Sequence, residues 1–392
     1  MYIKFMDSFS FNTTPGIRFG SNFAITTAEE VSKKLGENIF FITDPGLREL
    51  GLIDDIIKEL KKYSNIEIFS EVEADPSINT LELSIEIAKN INTTGVIGFG
   101  GGSSMDIAKL CSLILGSQEN IHEAWGVANA KGPRLPLVLY PTTAGTGSEV
   151  TPISIITQED SEKKGVSSPI ILPDLAILDP LLTIGLPSKI TAATGIDAMV
   201  HAIESYASKS KNNNLISQTL AKESLRLLGS SIREAVFNGK SIEARSNMLI
   251  GSMLAGVSFG NSPVAGVHAL AYPIGGTYHI PHGLSNALVL PHVLRFNSTS
   301  IEAINNYSEL APIIFPEIEI NTSNQDITAI FIEKISSLSL ELGLEQKLRE
   351  VGIPQSGCET MAKDAMKQTR LLINNPKEIY EQDALEIYKS AW

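Results

Sequence analysis

Apolar runs of strand length alternate with amphipathic helical stretches through the first half of the chain, and this alternation limits the fold more than any other feature. ENIFFITD (37–44) reads as a buried strand and GLIDDIIKELKKY (51–63) as an amphipathic helix. NIEIFSEV (65–72) is another strand, followed by the helical LELSIEIAKNI (81–91). GVIGFGGG (95–102) is a strand that runs into a glycine loop, and SMDIAKLCSLIL (104–115) is the helix after it. LPLVLYPTT (135–143) is a further strand. A β-α-β-α order predicts a mostly parallel sheet with helices on both faces. From about Pro187 the texture changes. TAATGIDAMVHAIESYASK, NLISQTLAKESLRLLGSSIREAV and ARSNMLIGSMLAGVSF keep helical periodicity without strand-like alternation, and the tail does the same. The expected plan is an α/β domain over residues 1–186 and an all-helical domain over 187–392.

The chain has 392 residues, more than one typical core accommodates. Its net charge is −13, and Lys and Arg are scattered rather than gathered in a stripe, which argues against nucleic acid and anionic membrane as partners. No apolar stretch is long enough to span a bilayer, and MYIKFMDSFSFN lacks the apolar run and cleavage site of a leader. Cys111 and Cys358 are the only cysteines, so no disulfide framework is expected. These points predict a soluble cytoplasmic protein.

Two clusters in the helical half carry metal-ligand chemistry. Asp197 and His201 lie four apart in GIDAMVHAIESY, so both project from one helix face. His268 and His282 flank a Pro-Ile-Gly-Gly break, which would fold two elements back toward one point. One carboxylate and three neutral imidazoles suit Fe²⁺ or Zn²⁺ better than Mg²⁺ or Ca²⁺. The competing reading is a solvated Asp–His pair and two unrelated core histidines.

The α/β half carries nucleotide chemistry. Gly98, Gly100, Gly101 and Gly102 follow a strand and precede a helix starting at Ser103 or Ser104. Such glycines let backbone approach a pyrophosphate at a helix N-terminus, with Ser103 as the expected N-cap and Asp106 in the first turn. YPTTAGTGSEVTP (140–152) follows another strand and offers Thr142, Thr143, Thr146 and Ser148 at the edge where ligands of parallel sheets bind. Asp44 ends the ENIFFITD strand. It either receives the adenosine ribose hydroxyls, which favours NAD over NADP, or only opens the DPG turn.

Together GFGGGSSMDIAK, PTTAGTGSEVTP, GIDAMVHAIESY and HALAYPIGGTYHIPHG resemble the iron-containing (group III) alcohol dehydrogenases, in order and over essentially the whole chain. The resemblance implies a dinucleotide-binding α/β domain followed by a helical metal-binding domain, a plan shared with dehydroquinate synthase. It implies Asp197, His201, His268 and His282 as ligands of Fe²⁺, with Zn²⁺ as the alternative. Gly100, Gly101, Gly102 and Ser103 would hold the pyrophosphate of NAD. Thr142, Thr143 and Thr146 would line the adenine and ribose side, and Lys164 matches a family lysine near the cofactor ribose. The implied reaction is hydride transfer between NAD(H) and a small alcohol, aldehyde or ketone, in a homo-oligomer, expected to be a dimer.

Three positions depart from the family pattern. Tyr272 stands where many members place a second histidine that relays a proton, and His279 stands where many carry Asn. Asp75 precedes Pro76 where Asn-Pro is frequent. A phenol with an ordinary pKa near ~10 relays protons poorly at neutral pH, so His279 is the expected protein participant, with ribose hydroxyls and water. Two rivals remain. A maleylacetate-reductase-like or hydroxy-acid activity would need a basic residue beside the metal, for which Arg295 is the candidate. A sugar-phosphate cyclase would crowd its site with Lys and Arg, which these motifs lack.

Overall fold

The computed structural model describes residues 8–158 and 163–392; the first seven residues, within the stretch read for a leader, lie outside them. The chain forms two compact units. One is Asn12–Gly185; the other joins residues 8–11 to Leu186–Trp392. The sequence had assigned those N-terminal residues to the α/β domain. They go with the helical unit because the Ser10 N–H donates to Asn212 Oδ1 (2.9 Å) and the Ser10 carbonyl accepts from Asn212 Nδ2 (2.9 Å).

In Asn12–Gly185 the strands are β1 (Gly16–Phe19), β2 (Asn38–Ile42), β3 (Asn65–Phe69), β4 (Gly95–Gly100), β5 (Gly126–Val127), β6 (Leu137–Pro141), β7 (Ile153–Thr157), β8 (Lys163–Ser167) and β9 (Leu175–Leu178). Six of them form one sheet in the order β1-β9-β6-β4-β2-β3, parallel throughout. The longer helices of this unit are α1 (Ala28–Leu35), α2 (Asp54–Leu60), α3 (Ile78–Asn90) and α4 (Gly102–Ser117). Alternate strand residues face opposite layers, as a period of two requires. Phe40, Ile42, Val96, Leu137 and Leu139 pack with α3 and α4. Ile39, Phe41, Ile97, Phe99, Val138 and Tyr140 pack with α1 and α2. The near-continuous apolar strands are therefore those of a sheet covered on both faces.

From β2 the chain moves outward to β3, then returns to β4 on the other side of β2 and proceeds to β6 and β9. The order reverses between β2 and β4, and in such sheets ligands bind beyond the strand ends at that reversal. Asp44 and Gly100–Gly102 lie there. A second sheet, β5-β8-β7, pairs β7 and β8 antiparallel, from Ile153 opposite Ser167 to Thr157 opposite Lys163. The strand–helix alternation did not anticipate this hairpin.

In the helical unit the site is built from α5 (Ser188–Ala207), α6 (Leu215–Phe237), α7 (Ile242–Asn261), α8 (Gly266–Tyr278) and α9 (His282–Asn297). The predicted Pro-Ile-Gly-Gly break is not a break: Pro273, Ile274, Gly275 and Gly276 lie inside α8. Proline in a helix removes one hydrogen bond, but Pro273, Ile274 and Gly275 are buried here, and their packing holds the helix together. The chain turns three residues later. His279 takes the left-handed conformation (φ 55°) and its N–H closes on the Gly275 carbonyl at 3.0 Å. Pro281 then precedes α9, whose first residue is His282. No single helix among the described residues is long and apolar enough to cross a membrane.

Candidate metal centre and glycine loop

Helical spacing puts Asp197 and His201 one turn apart on α5, both buried at 2% and 4% exposure. His268 comes from the first turn of α8 and His282 from the start of α9. One ligand atom from each of the four lies within 4.8 Å of all the others. His282 Nε2 is 3.6 Å from Asp197 Oδ1, and the His201 and His268 rings are 4.6 Å apart between centroids. His201 also stacks on Phe259 of α7 at 4.3 Å. Burial alone pushes the Asp197 carboxyl up. The three imidazoles and an Asn286 amide outweigh it and hold the group below the usual carboxylate range. Asn286 Nδ2 donates to Asp197 Oδ1 at 2.6 Å and lies 3.3 Å from both His268 Nε2 and His282 Nε2.

One carboxylate and three imidazoles, converging at this spacing, fit a four-ligand site for Fe²⁺ or Zn²⁺. Three of the four are buried, while the His282 side chain is 33% exposed, so the cluster opens on that side. Tyr272 lies at the open side, with its ring centroid 6.1 Å from that of His282. His279 is exposed at the end of α8, and among the described residues no hydrogen bond or ring contact joins it to the four ligands. Sequence reasoning missed Asn286 and Glu204. Glu204 lies within a quoted run and Asn286 just beyond one, each about a helical turn from a candidate ligand, but nothing local separates them from ordinary helix residues.

In the α/β unit the predicted loop residues gather at the ends of β2, β4 and β6. Gly100 has φ 150°, where side chains rarely go, and a Cβ there would lie 2.7 Å from Ser104 Oγ and 3.3 Å from Asp44 Oδ2. A Cβ on Gly101 would lie 3.8 Å from Thr143 Oγ1, and one on Gly102 would lie 3.3 Å from Thr146 Oγ1. The Thr142 N–H donates to the Gly100 carbonyl at 3.0 Å. Asp44 caps the short helix Pro45–Glu49, its Oδ1 accepting from the Leu47 N–H at 3.0 Å, while Oδ2 faces Gly100. Ser103 is not the N-cap. Gly101 is, with no side-chain bond, so Ser103 falls inside the first turn of α4. Lys164 stands opposite Ile156 in the three-stranded sheet.

A buried clasp lies behind this loop. Lys109 of α4 is fully buried and donates to Ser148 Oγ (2.7 Å), Thr151 Oγ1 (3.2 Å) and the Ile153 carbonyl (2.7 Å). Asp106 accepts from Ser148 Oγ (2.7 Å) and the Ile155 N–H (2.9 Å). Burial pulls the Lys109 ammonium down to about 8 and lifts the neighbouring Glu149 carboxyl to about 7.

The family described as "Iron-containing alcohol dehydrogenase" matches residues 14–180, and "Fe-containing alcohol dehydrogenase family, C-terminal" matches residues 191–392. A long-chain-alcohol dehydrogenase of Geobacillus thermodenitrificans is 39% identical over 368 residues, covering 92% of this chain and 91% of its own. An NAD-dependent methanol dehydrogenase of Bacillus methanolicus is 31% identical over 365 residues, 92% of this chain and 93% of its own. The crystal structure of a 1,3-propanediol oxidoreductase superposes with a TM-score of 0.94 at 31% identity, covering 98% of this chain and all of the other. With both halves matched, and with the four candidate ligand side chains converged, this chain belongs to the iron-containing alcohol dehydrogenase family.

Proposed function

We propose that the protein is a metal-dependent dehydrogenase that moves a hydride between NAD(H) and a small alcohol, aldehyde or ketone. The convergence of Asp197, His201, His268 and His282 carries this reading. A divalent ion held there, Fe²⁺ before Zn²⁺, would supply Lewis acidity toward the substrate oxygen, and NAD would supply the hydride acceptor. The side chains do the rest. Asn286 keeps Asp197 oriented, Phe259 fixes the His201 ring, and Tyr272 borders the open side.

The first turn of α4 and Gly100–Gly102 would receive the pyrophosphate, because uncapped N–H groups and the helix dipole favour an anion there. Thr142, Thr143 and Thr146 would border the adenosine side. Asp44 would accept the ribose hydroxyls with Oδ2, which leaves its capping bond intact. Lys164 would lie near the cofactor ribose, and His279 would take protons to and from solvent.

The hydroxy-acid rival loses its anchor. Arg295 is thirteen residues beyond His282 on α9, about 20 Å along the axis, and it pairs with Glu333 at 2.7 Å. The test is ultraviolet absorbance of reduced nicotinamide, measured for anaerobic Fe²⁺-loaded, Zn²⁺-loaded and metal-free protein with NAD and a panel of small alcohols. Turnover that requires the ion supports the reading; full activity in the metal-free protein, or none with any metal and alcohol, overturns it.

A further inference from the structure

Glu204 is a buried carboxylate whose hydrogen bonds point at one candidate metal ligand and the helix that carries it. It lies on α5, seven residues after Asp197 and three after His201, so helical spacing puts it on their face. It is 6% exposed. Its Oε2 is 2.7 Å from His268 Nδ1 and accepts from the Ala265 N–H at 3.0 Å. Its Oε1 accepts from the Val267 N–H at 2.6 Å.

We infer that Glu204 is a positioning residue: it fixes the tautomer and ring orientation of His268 and so sets the affinity of the site for its ion. The inference rests on the four side chains being metal ligands. Two backbone donors already converge on this carboxylate, so each of its oxygens serves as an acceptor. At 2.7 Å from such a group, Nδ1 must carry the hydrogen. The neutral ring then has its lone pair on Nε2. Independently, the Asn286 amide nitrogen, a donor, lies 3.3 Å from that Nε2. Both neighbours select the same tautomer, the one able to bind a cation toward Asp197.

Glu204 also orients the whole element. Helix α8 begins at Gly266 with Ala265 as N-cap, and Ala265 has no side chain to satisfy the first N–H groups. Glu204 satisfies two of the donors at that end from the neighbouring helix and places negative charge at the positive end of the α8 dipole. The ring and the backbone that carries it are thus held by one carboxylate.

Glu204→Gln keeps the shape but has one acceptor oxygen. Its NH₂ group must face either a backbone N–H or His268 Nδ1. In the second case it donates to Nδ1 and favours hydrogen on Nε2, which blocks ligation. Fe²⁺ and Zn²⁺ affinity, measured by competition with a chromogenic chelator, should fall about 10–100-fold. Nucleotide affinity should be unchanged. Nitrogen-15 NMR of histidine-labelled Zn²⁺-loaded wild-type protein should show His268 protonated at Nδ1. Wild-type metal affinity in Glu204→Gln, or hydrogen on Nε2 of His268 in the loaded wild type, overturns the inference. If the wild type itself binds no ion stoichiometrically, the metal reading fails instead. If Glu204→Gln does not fold, the wild-type NMR measurement alone decides.

Discussion

Gly283 follows the candidate ligand His282 and lies where α9 crosses α5, so Gly283→Ala probes the centre without replacing any of the four candidate ligands. A Cβ there would overlap the Ala193 carbonyl oxygen of α5 and lie 2.8 Å from its carbon, where ordinary contact begins at 3.4 Å. It would also lie 3.3 Å from Asp197 Cβ. Both obstacles sit on a packed helix, one of them its backbone, so the first turn of α9 must retreat by at least 0.6 Å. Overpacking of this kind costs about 1–3 kcal/mol. Metal–ligand distances tolerate only about 0.2 Å, so the retreat is several times what His282 can absorb. The expected result is a Tm lower by roughly 2–4 °C for each kcal/mol and metal affinity reduced at least about tenfold, by thermal melting and chelator competition. Gly276→Ala is the control. It lies inside α8 with nothing within 4 Å of a new Cβ, so it should raise Tm and leave metal affinity alone. If Gly283→Ala binds metal as the wild type does, close approach of α5 and α9 is not what holds His282 in place.

Three more outcomes follow from the geometry. Asp44→Gly should lose the capping bond to Leu47, costing only a few tenths of a kcal/mol because glycine is itself a tolerated N-cap, and should weaken NAD use while relaxing discrimination against NADP; kcat/KM favouring NADP in the unmodified enzyme refutes a ribose role for Asp44. His279→Gly relieves a left-handed residue and should raise stability by up to about 1 kcal/mol, yet lower turnover and alter its pH profile; unchanged turnover and profile refute the relay. Glu149 keeps its proton to about 7 in the folded state, while the unfolded chain releases it near the ordinary 4.5. Between those values the unfolded state binds fewer protons, so rising pH costs the wild type stability. The Tm of Glu149→Gln relative to wild type should therefore increase from pH 4 to pH 8, and a constant difference refutes the assignment.

The elements that the sequence revealed share one property: their burial writes a period into the chain. β2, β3, β4 and β6 are runs of Ile, Val, Leu and Phe with helices between them, and residues 188–297 repeat at helical spacing. Short strands carry no such period. GIRF of β1 and LAIL of β9 are four residues each and owe their identity to each other, from Gly16 opposite Leu175 to Phe19 opposite Leu178. Pro273 misled for the opposite reason, since a local breaker was overruled by tertiary packing. The four ligands were legible because Asp and His are rare together on buried helices. Glu204 was not, because its partners lie more than sixty residues away. Asp44 bore two readings, of which the turn is seen directly, Oδ1 capping the helix, while Oδ2 faces the glycine loop.

The clasp of Lys109 and Asp106 bears on when loop order is established. Five hydrogen bonds tie α4 to Ser148, Thr151, Ile153 and Ile155, all in the segment that follows Thr142–Thr146. A loop restrained this way has lost its conformational freedom before any ligand arrives. A nucleotide would then meet a surface already in its binding shape, and association would carry little of the entropy loss that a floppy loop imposes. In kinetic terms, its capture would be limited by encounter rather than by rearrangement.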